Sequence, residues 1–156
     1  MDLKKPPLWR ENHTGHWLRL ASQRFDARVL QLIAKNVELP LGLCNLAARG
    51  QLTASHVHIT RYLSLEGLRL TGLASRAGMT KQAMGKLVDQ CEAWGLVQRQ
   101  RDPRDGRACN IFFTSTGHLW LQAFEQAVLQ TELELHATIG SNVATVMSLG
   151  LEAYST

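Results

Sequence analysis

The stretch Leu70–Thr114 reads LTGLASRAGMTKQAMGKLVDQCEAWGLVQRQRDPRDGRACNIFFT. Its first half predicts two short helices joined at Gly78, a residue suited to the left-handed turn that closes a helix. Its second half predicts two strands, Leu96–Arg101 and Ala108–Thr114, joined at Asp105-Gly106, a dipeptide typical of hairpin turns. Helix, turn, helix and hairpin in this order are the layout of a winged helix-turn-helix.

Caps and breakers support this order of elements. Thr71 and Thr80 each precede a helical segment, and a threonine hydroxyl there accepts a hydrogen bond from a free N–H of the first turn. Gly95 predicts the end of the second helix near Trp94. The apolar stripe of this helix consists of Ala83, Met84, Leu87, Val88 and Cys91. Its opposite face is polar and contains Lys81, Gln82, Gly85, Lys86 and Asp89.

Further helices are predicted on both sides of this stretch. In chain order they are a helix over His16–Asn36, a short helical turn over Leu43–Arg49, a helix from Thr53 to Leu63, a long helix from Thr114 or Ser115 to Thr138, and a last amphipathic helix after Gly140. We therefore expect a mostly α fold with a small β-hairpin wing. Residues 1–156 are expected to form a single domain, in which residues 52–114 are the winged helix-turn-helix core.

The charge of the chain is concentrated in this core. Eight basic and four acidic residues lie between Arg69 and Arg107, so this segment has the net charge of +4 that the whole chain has. A cationic module in an otherwise neutral chain indicates an anionic partner, most commonly the phosphate backbone of nucleic acid. A solvated basic face has the same charge pattern, and charge alone does not separate the two interpretations.

We call the helix from Thr80 to about Trp94 the recognition helix, since the second helix of this fold enters the major groove of DNA. Gln82 is suited to bond an adenine edge, while Lys81 and Lys86 reach guanine acceptors or phosphate. Free N–H groups at the helix N-terminus favour an anion. Gly85 costs roughly 1 kcal/mol of helix propensity relative to alanine. Close approach of DNA to the helix backbone is one reason for a residue without a side chain at this position. An ordinary surface helix is the alternative.

Arginines surround the tip of the hairpin. Arg99, Arg101, Arg104 and Arg107 are suited to follow a phosphate backbone, and arginine in a narrow minor groove reads A·T-rich shape. Asp102 and Arg107 flank the tip, and we expect them to pair and brace it. Arg104 is then free to reach outward. A solubilising turn is the alternative.

Over about Leu52–Gly117 the chain resembles MarR-type (multiple antibiotic resistance regulator) transcription factors. The segments that carry the resemblance are Thr80–Asp89, Gly95–Val97, the wing Asp102–Arg107 and Phe113-Thr114. The spacing of Asp-x-Arg-Asp-x-Arg after a Lys-Gln-Ala helix is fairly specific. One departure is Glu38–Gln51, which is longer and more apolar than the family's usual link into its second helix.

The resemblance implies an obligate homodimer that binds pseudo-palindromic double-stranded DNA. Residues 8–51 and 115–156 would then form the helical dimerisation region. It also implies that Lys81, Gln82 and Lys86 lie in the major groove and that Arg104 enters the minor groove. Members of the family commonly act as repressors. A small-molecule effector, unknown for this chain, releases them from the operator. An activator would use the same DNA contacts.

The cysteines and histidines favour neither a metal site nor a disulfide framework. Cys44, Cys91 and Cys109 lie far apart and form no CxxC pair, and Cys91 falls on the apolar stripe. Redox sensing by a cysteine stays open as an alternative. His13 and His16 have the spacing of helical metal ligands, but no cysteine or carboxylate cluster accompanies them, so no metal and no cofactor is expected.

Other function classes have little support. The sequence has no phosphate-binding glycine loop, no nucleophile elbow and no HExxH motif, so we expect no enzyme. The segment Met1–Pro7 lacks the apolar stretch of a signal peptide, and no run of eighteen apolar residues follows, so a cytoplasmic protein without a membrane partner is expected. The rival hypothesis is a winged helix that binds another protein and not DNA.

Overall fold

The computed structural model describes residues 8–156, so the expectation for Met1–Pro7 lies outside the described residues. After a single 3-10 turn at Leu8–Arg10, the elements are α1 (Thr14–Ala34), α2 (Leu41–Ala48), α3 (Ala54–Tyr62), β1 (Leu68–Arg69), α4 (Leu70–Arg76), α5 (Lys81–Ala93), β2 (Val97–Asp102), β3 (Asp105–Phe113), α6 (Ser115–Ile139) and α7 (Ser141–Ser155). Helices dominate and the sheet is small. The predicted fold class, a mostly α winged helix-turn-helix, is confirmed.

The sheet contains one strand more than the predicted hairpin. Its order is β1-β3-β2, and both pairs are antiparallel. Strand β1 has two residues, too few for an alternating pattern, and pairs Leu68 with Ile111 and Arg69 with Asn110. The prediction that Thr71 caps the next helix is wrong. The chain passes directly from β1 into α4, which begins at Leu70 with Arg69 as its N-cap.

The turn of the wing lies earlier than predicted. Asp102 pairs with Asp105, so Pro103 and Arg104 form the turn, and Gly106 lies inside β3 without a positive φ. Proline presets the backbone for the second position of a turn. The Asp102 carboxylate then accepts a hydrogen bond of 2.9 Å from the N–H of Arg104. These two local preferences outweigh the Asp-Gly signal.

The predicted stripe of the recognition helix faces the core. Met84, Val88 and Cys91 of α5 are buried, and Thr80 caps the helix by accepting a hydrogen bond of 3.1 Å from the N–H of Ala83. The core also contains Val29, Ile33, Leu52, Leu73, Val97, Ile111 and Trp120. Trp120 is satisfied as well as buried, since its Nε1–H donates to the Thr60 hydroxyl over 2.8 Å.

The start of α6 packs closely on the wing. A Cβ atom at Gly117 would lie 2.1 Å from the carbonyl oxygen of Leu96 and 3.1 Å from the side chain of Phe113. Only glycine lets the helix approach the strands so closely. This contact places the base of the wing against the helix that leads out of the core.

Ion pairs join the N-terminal helices to the rest of the chain. Arg28 of α1 donates two hydrogen bonds of 2.7 Å to Glu134 of α6. Arg61 of α3 lies 2.8 Å from Asp26 of α1.

The predicted turn over Leu43–Arg49 is the helix α2, whose Cys44 is buried and donates its S–H to the carbonyl of Asn36.

Helix α7 leaves most of its apolar side chains exposed in the single chain. Ala144 is its one buried residue, whereas Val146 is 70% and Tyr154 85% exposed. Leu129 and Leu133 of α6 are exposed as well. Within residues 8–156, no helix combines the length and the apolar character that crossing a bilayer requires.

Candidate nucleic-acid interface

The N-terminal half of α5 presents polar side chains to solvent. Lys81, Gln82 and Lys86 are exposed, and the hydroxyl of Thr80 is engaged in the cap. The opposite face of the helix is held in the core, so this polar face is turned outward by packing. Donors at the end of an outward-facing helix have the geometry that a major-groove contact requires.

Nothing in the fold requires glycine at position 85. A Cβ atom there would meet only the side chain of Leu70, at 3.8 Å, which is an ordinary contact. The backbone has no positive φ at this position. Gly85 therefore lowers helix propensity without a packing reason in the described chain.

Arg69 braces the tip of the wing, and Arg107 does not. The Arg69 guanidinium lies 3.0 Å from the Asp102 carboxylate and 4.0 Å from that of Asp105. The predicted Asp102–Arg107 pair does not form; Arg107 instead donates its backbone N–H to Asp105 over 3.2 Å. The cause is strand β1, which brings Arg69 to the wing from a distant part of the sequence. The hydrogen bond from the Arg104 N–H, followed by the one from Arg69, lowers the pKa of Asp102.

A second arginine braces the base of the wing against the recognition helix. Arg99 of β2 pairs with Asp89 over 2.6 Å and also with Glu92, both on α5. Its backbone N–H donates to Glu92 over 3.0 Å. Partial burial lowers the pKa of Arg99. The hydrogen bonds to Asp89 and Glu92 together raise the pKa by more than burial lowers it, so the pKa lies above the ordinary value.

These two arginines engage every acidic side chain of the basic segment. Asp102 and Asp105 are held by Arg69, and Asp89 and Glu92 are held by Arg99. The other six of the eight basic side chains form no ion pair within residues 8–156; they are Arg76, Lys81, Lys86, Arg101, Arg104 and Arg107. The acidic side chains of this segment are thus paired within it, while most of its basic side chains are exposed to solvent.

The bracing roles of Arg69 and Arg99 were not predicted. Arg99 looked like one more arginine of the wing, because the spacing of charges along a strand does not show its partners. A weak signal was present in Asp89 and Glu92, which stand three residues apart on one side of a helix. Arg69 had no signal at all, since it precedes its partner by 33 residues.

A buried polar contact also ties α5 to α3. His56 is 7% exposed, and its Nε2 atom lies 2.8 Å from Oε1 of Gln90. Its Nδ1 atom lies 3.0 Å from the backbone nitrogen of Thr53, at the start of α3. The imidazole ring also contacts the Trp94 ring at 4.8 Å between centroids. The recognition helix is thus held by polar contacts from two elements.

A groove of about 610 Å³ lies beside α1. One wall is formed by α1, and the other by the end of α2 and the first residues of α3. Its apolar lining includes Leu30 and Leu52, and its polar lining includes Gln23, Asp26 and Gln31. Concave sites with mostly apolar walls and a few polar groups are typical of small-molecule binding.

The cysteines and histidines form no metal site in the part of the chain that the structure describes. No group of three or more histidine, cysteine or acidic side chains is assembled there. Cys44 and Cys91 are buried, whereas Cys109 on β3 is exposed. Burial raises the pKa of the Cys91 thiol to about 12, as is expected of an inert core cysteine.

Comparison with known proteins agrees with this architecture. Residues 50–108 match the model of the MarR family. No curated protein matches the chain significantly.

Three solved structures illustrate the likeness. The first is a transcriptional repressor, CouR, bound to a 23-mer DNA duplex, with 21% identity, a TM-score of 0.71 and 100% of both chains covered. The second is Bordetella bronchiseptica BpsR, whose DNA binding is regulated by 6-hydroxynicotinic acid, with 18% identity, a TM-score of 0.67 and coverage of 96% of this chain and 98% of that one. The third is apo MarR from E. coli, with 18% identity, a TM-score of 0.63 and coverage of 90% and 96%. At these identities the likeness concerns the fold.

Proposed function

We propose that the protein is a regulator of the MarR type, a homodimeric, DNA-binding repressor that a small molecule releases from its operator. We assign it no catalytic role and place its action in the cytoplasm, with the DNA. The observation that carries the proposal is the separation of charge in the core. Arg69 and Arg99 pair with the four acids of the segment from Arg69 to Arg107. The six other basic side chains of this segment form no ion pair among the described residues.

The proposed DNA contacts fall into two groups. Thr80, Lys81, Gln82, Gly85 and Lys86 are assigned to the major groove, where helix donors read base edges and phosphates. The wing residues Arg101, Arg104 and Arg107 are assigned to the phosphate backbone and the adjoining minor groove. Support for the second group comes from the turn, which places Arg104 at the tip, and from Arg69, which neutralises the acids beside it.

Exposed apolar surface supports the homodimer. Helix α7 and the second half of α6 expose Val146, Tyr154, Leu129 and Leu133, although α7 has only one charged side chain, Glu152. A large exposed apolar surface commonly marks a site where another protein binds. We propose that residues 8–51 and 115–156 of two copies cover it mutually. Two recognition helices related by a two-fold axis would then meet half-sites about 10–10.5 base pairs apart.

The groove beside α1 supports a small-molecule effector. Its volume of about 610 Å³ lies within the range of roughly 300–1,000 Å³ that is usual for ligand sites. Thr53 lines the groove and also starts α3, whose His56 contacts the recognition helix. A ligand that displaces this end of α3 would therefore act on α5, which is a physical route to release.

The test is selection of duplexes from a random DNA pool, followed by titration of the selected site at two salt concentrations. We expect a two-fold-symmetric site and a steep loss of affinity with salt, since the protein neutralises phosphates. Lys86→Ala should weaken binding by fewer than two decades and reduce the salt slope if Lys86 contacts phosphate. Arg49→Ala, an exposed arginine at the end of α2 and outside the basic segment, is the control and should change neither quantity.

Weak binding of all sequences near the non-specific level, about 10⁻⁴–10⁻⁶ M, would contradict the proposal. A partner whose binding does not depend on salt would favour the rival, a winged helix that docks on a protein.

A further inference from the structure

The position of Arg99 is unlike that of the other wing arginines. Its guanidinium joins two carboxylates of α5, 2.6 Å from Asp89 and in contact with Glu92, and its side chain is only 29% exposed. Arg101, Arg104 and Arg107 are exposed and form no ion pair in residues 8–156. A guanidinium that already satisfies two carboxylates is poorly placed to bind phosphate in addition.

Beyond the Arg69 brace at its tip and the packing of α6 at its base, few other contacts orient the wing. Beyond the core, β2 and β3 pair with each other, and the third strand of the sheet contributes only the two pairs made by Leu68 and Arg69. Arg99 lies on β2 two residues before Arg101 and five before the tip residue Arg104. It is therefore placed to set the direction of the wing relative to α5. Its backbone N–H, bonded to Glu92, adds a second tie at the same point.

We propose that Arg99 is a positioning residue for DNA binding, which fixes the angle between the recognition helix and the wing through Asp89 and Glu92. The inference rests on the proposed function. With the angle fixed, Lys81 and Gln82 in the major groove and Arg104 in the minor groove meet one duplex without further ordering. Rigid placement of two contact groups removes an entropic cost of binding, so the clamp strengthens specific binding without touching DNA.

Asp89→Asn distinguishes this role from plain electrostatics by the sign of its effect. Removal of an acid from a DNA-binding module ordinarily strengthens binding, because it reduces repulsion of the phosphates. The clamp predicts the opposite result. Asp89→Asn should weaken binding to the selected operator roughly tenfold, the scale of coupling within a hydrogen-bond network, and should leave non-specific binding unchanged or stronger.

Glu66→Gln is the matched control. Glu66 is an exposed acid of the winged core, three residues before the basic segment, and forms no ion pair in the described chain. Its substitution removes the same charge and should leave operator binding unchanged or strengthen it. Thermal unfolding of both variants shows that a loss of affinity does not come from unfolding, and Asp89 is exposed enough to accept asparagine.

Arg99 itself gives an independent readout. Lysine keeps the charge but does not bridge two carboxylates in a fixed fork. Arg99→Lys should therefore lose most of the affinity that Arg99→Met loses, and neither should change the salt slope. A phosphate contact would behave differently, since Arg99→Met would reduce the slope by about 0.9 and Arg99→Lys would restore it.

The outcomes separate the two proposals. Operator binding by Asp89→Asn that equals or exceeds the wild type, or a reduced salt slope in Arg99→Met, overturns the clamp and leaves the proposed function intact. If the wild-type protein selects no operator, both proposals fail. Weaker binding by Asp89→Asn together with an unchanged slope in Arg99→Met supports the clamp.

Discussion

The Nε2 atom of His56 lies 2.8 Å from Oε1 of Gln90, which ties α3 to the second half of the recognition helix. The other ring nitrogen accepts the N–H of Thr53 over 3.0 Å, so we assign the ring proton to Nε2, from which it is donated to Gln90. In a capping box, the residue that reaches back to the N-cap is usually glutamine or glutamate. Histidine takes this place here and has a second nitrogen left for α5.

The first prediction separates these two roles of His56. His56→Gln should keep the bond to Thr53 and lose the bond to Gln90, and Gln90→Ala should lose the same bond from the other side. Each should lower the free energy of unfolding by about 1 kcal/mol, the usual contribution of a neutral hydrogen bond. His56→Ala also removes the cap and should lose roughly 1 kcal/mol more.

Chemical denaturation of the two single variants and of their combination checks this. Because both substitutions remove one bond, the double variant should be little worse than either single variant. Losses that add in full would contradict the contact.

The second prediction concerns Gly85. Gly85→Ala should raise the free energy of unfolding by up to about 1 kcal/mol, since the new methyl group meets only Leu70 at 3.8 Å. Operator affinity should fall, because the methyl group blocks close approach of DNA to the helix. The methyl group of Gly42→Ala in α2 meets nothing within 4 Å, and this variant serves as a control that should leave affinity unchanged. Equal operator affinity in Gly85→Ala and the wild type would remove DNA contact as the reason for this glycine.

The third prediction concerns the tip of the wing. Arg104→Ala should lower affinity for operators with A·T-rich flanks roughly tenfold and have little effect on G·C-rich flanks, because arginine prefers the narrow minor groove of A·T tracts. Titration of two duplexes that differ only in their flanks measures this. Arg49→Ala, an exposed arginine outside the module, should affect neither duplex. An equal loss on both duplexes would contradict the minor-groove role.

The fourth prediction follows from the ion pair between α1 and α6. Hydrogen bonds from Arg28, and then from Gln130, lower the pKa of Glu134 to about 2, below its ordinary value of 4.5. The stabilisation is therefore complete above about pH 5 and is lost as the pH falls toward 2. Glu134→Gln should be less stable than the wild type at pH 7, and the difference should shrink on acidification. Thermal unfolding at several pH values measures it, and a difference that is constant with pH would count against the pair.

The fifth prediction concerns oxidation. In the native protein one thiol per chain, Cys109, should react with a thiol reagent, because Cys44 and Cys91 are buried and the pKa of Cys91 is about 12. All three should react after denaturation. Mild peroxide should leave operator affinity unchanged, since the exposed thiol is not among the proposed contacts. A loss of affinity in the wild type that Cys109→Ser abolishes would establish the redox alternative instead.

Local features of the sequence predicted much of this fold. The buried side chains Met84, Val88 and Cys91 follow from spacing along one helix, and the cap at Thr80 depends on atoms within three residues. The left-handed turn at Gly78 and the end of the recognition helix at Gly95 were also predicted, and both glycines have a positive φ. Exposure of Lys81, Gln82 and Lys86 followed from the same periodicity, because a helix with one buried face presents the other to solvent.

The errors and omissions have two origins. The two-residue strand β1 and the start of α4 at Leu70 depend on which strands pair, and pairing joins residues far apart in sequence. The turn at Pro103 and Arg104 depends instead on local preferences that outweigh the Asp-Gly signal. The expected partner of Asp102 was its neighbour Arg107, but the sheet brought Arg69 to it.

The sequence by itself determined the order of the helices and the wing, the face of α5 that is buried and the residues that are basic, because each depends on neighbours within a few positions. Only the tertiary structure decided which of the charges are paired. Arg69 and Arg99 hold the four acids of the segment from Arg69 to Arg107, and the other basic side chains of that segment stay unpaired among the described residues. Ion pairing requires atoms within about 4 Å, and the folded chain alone brings distant residues that close.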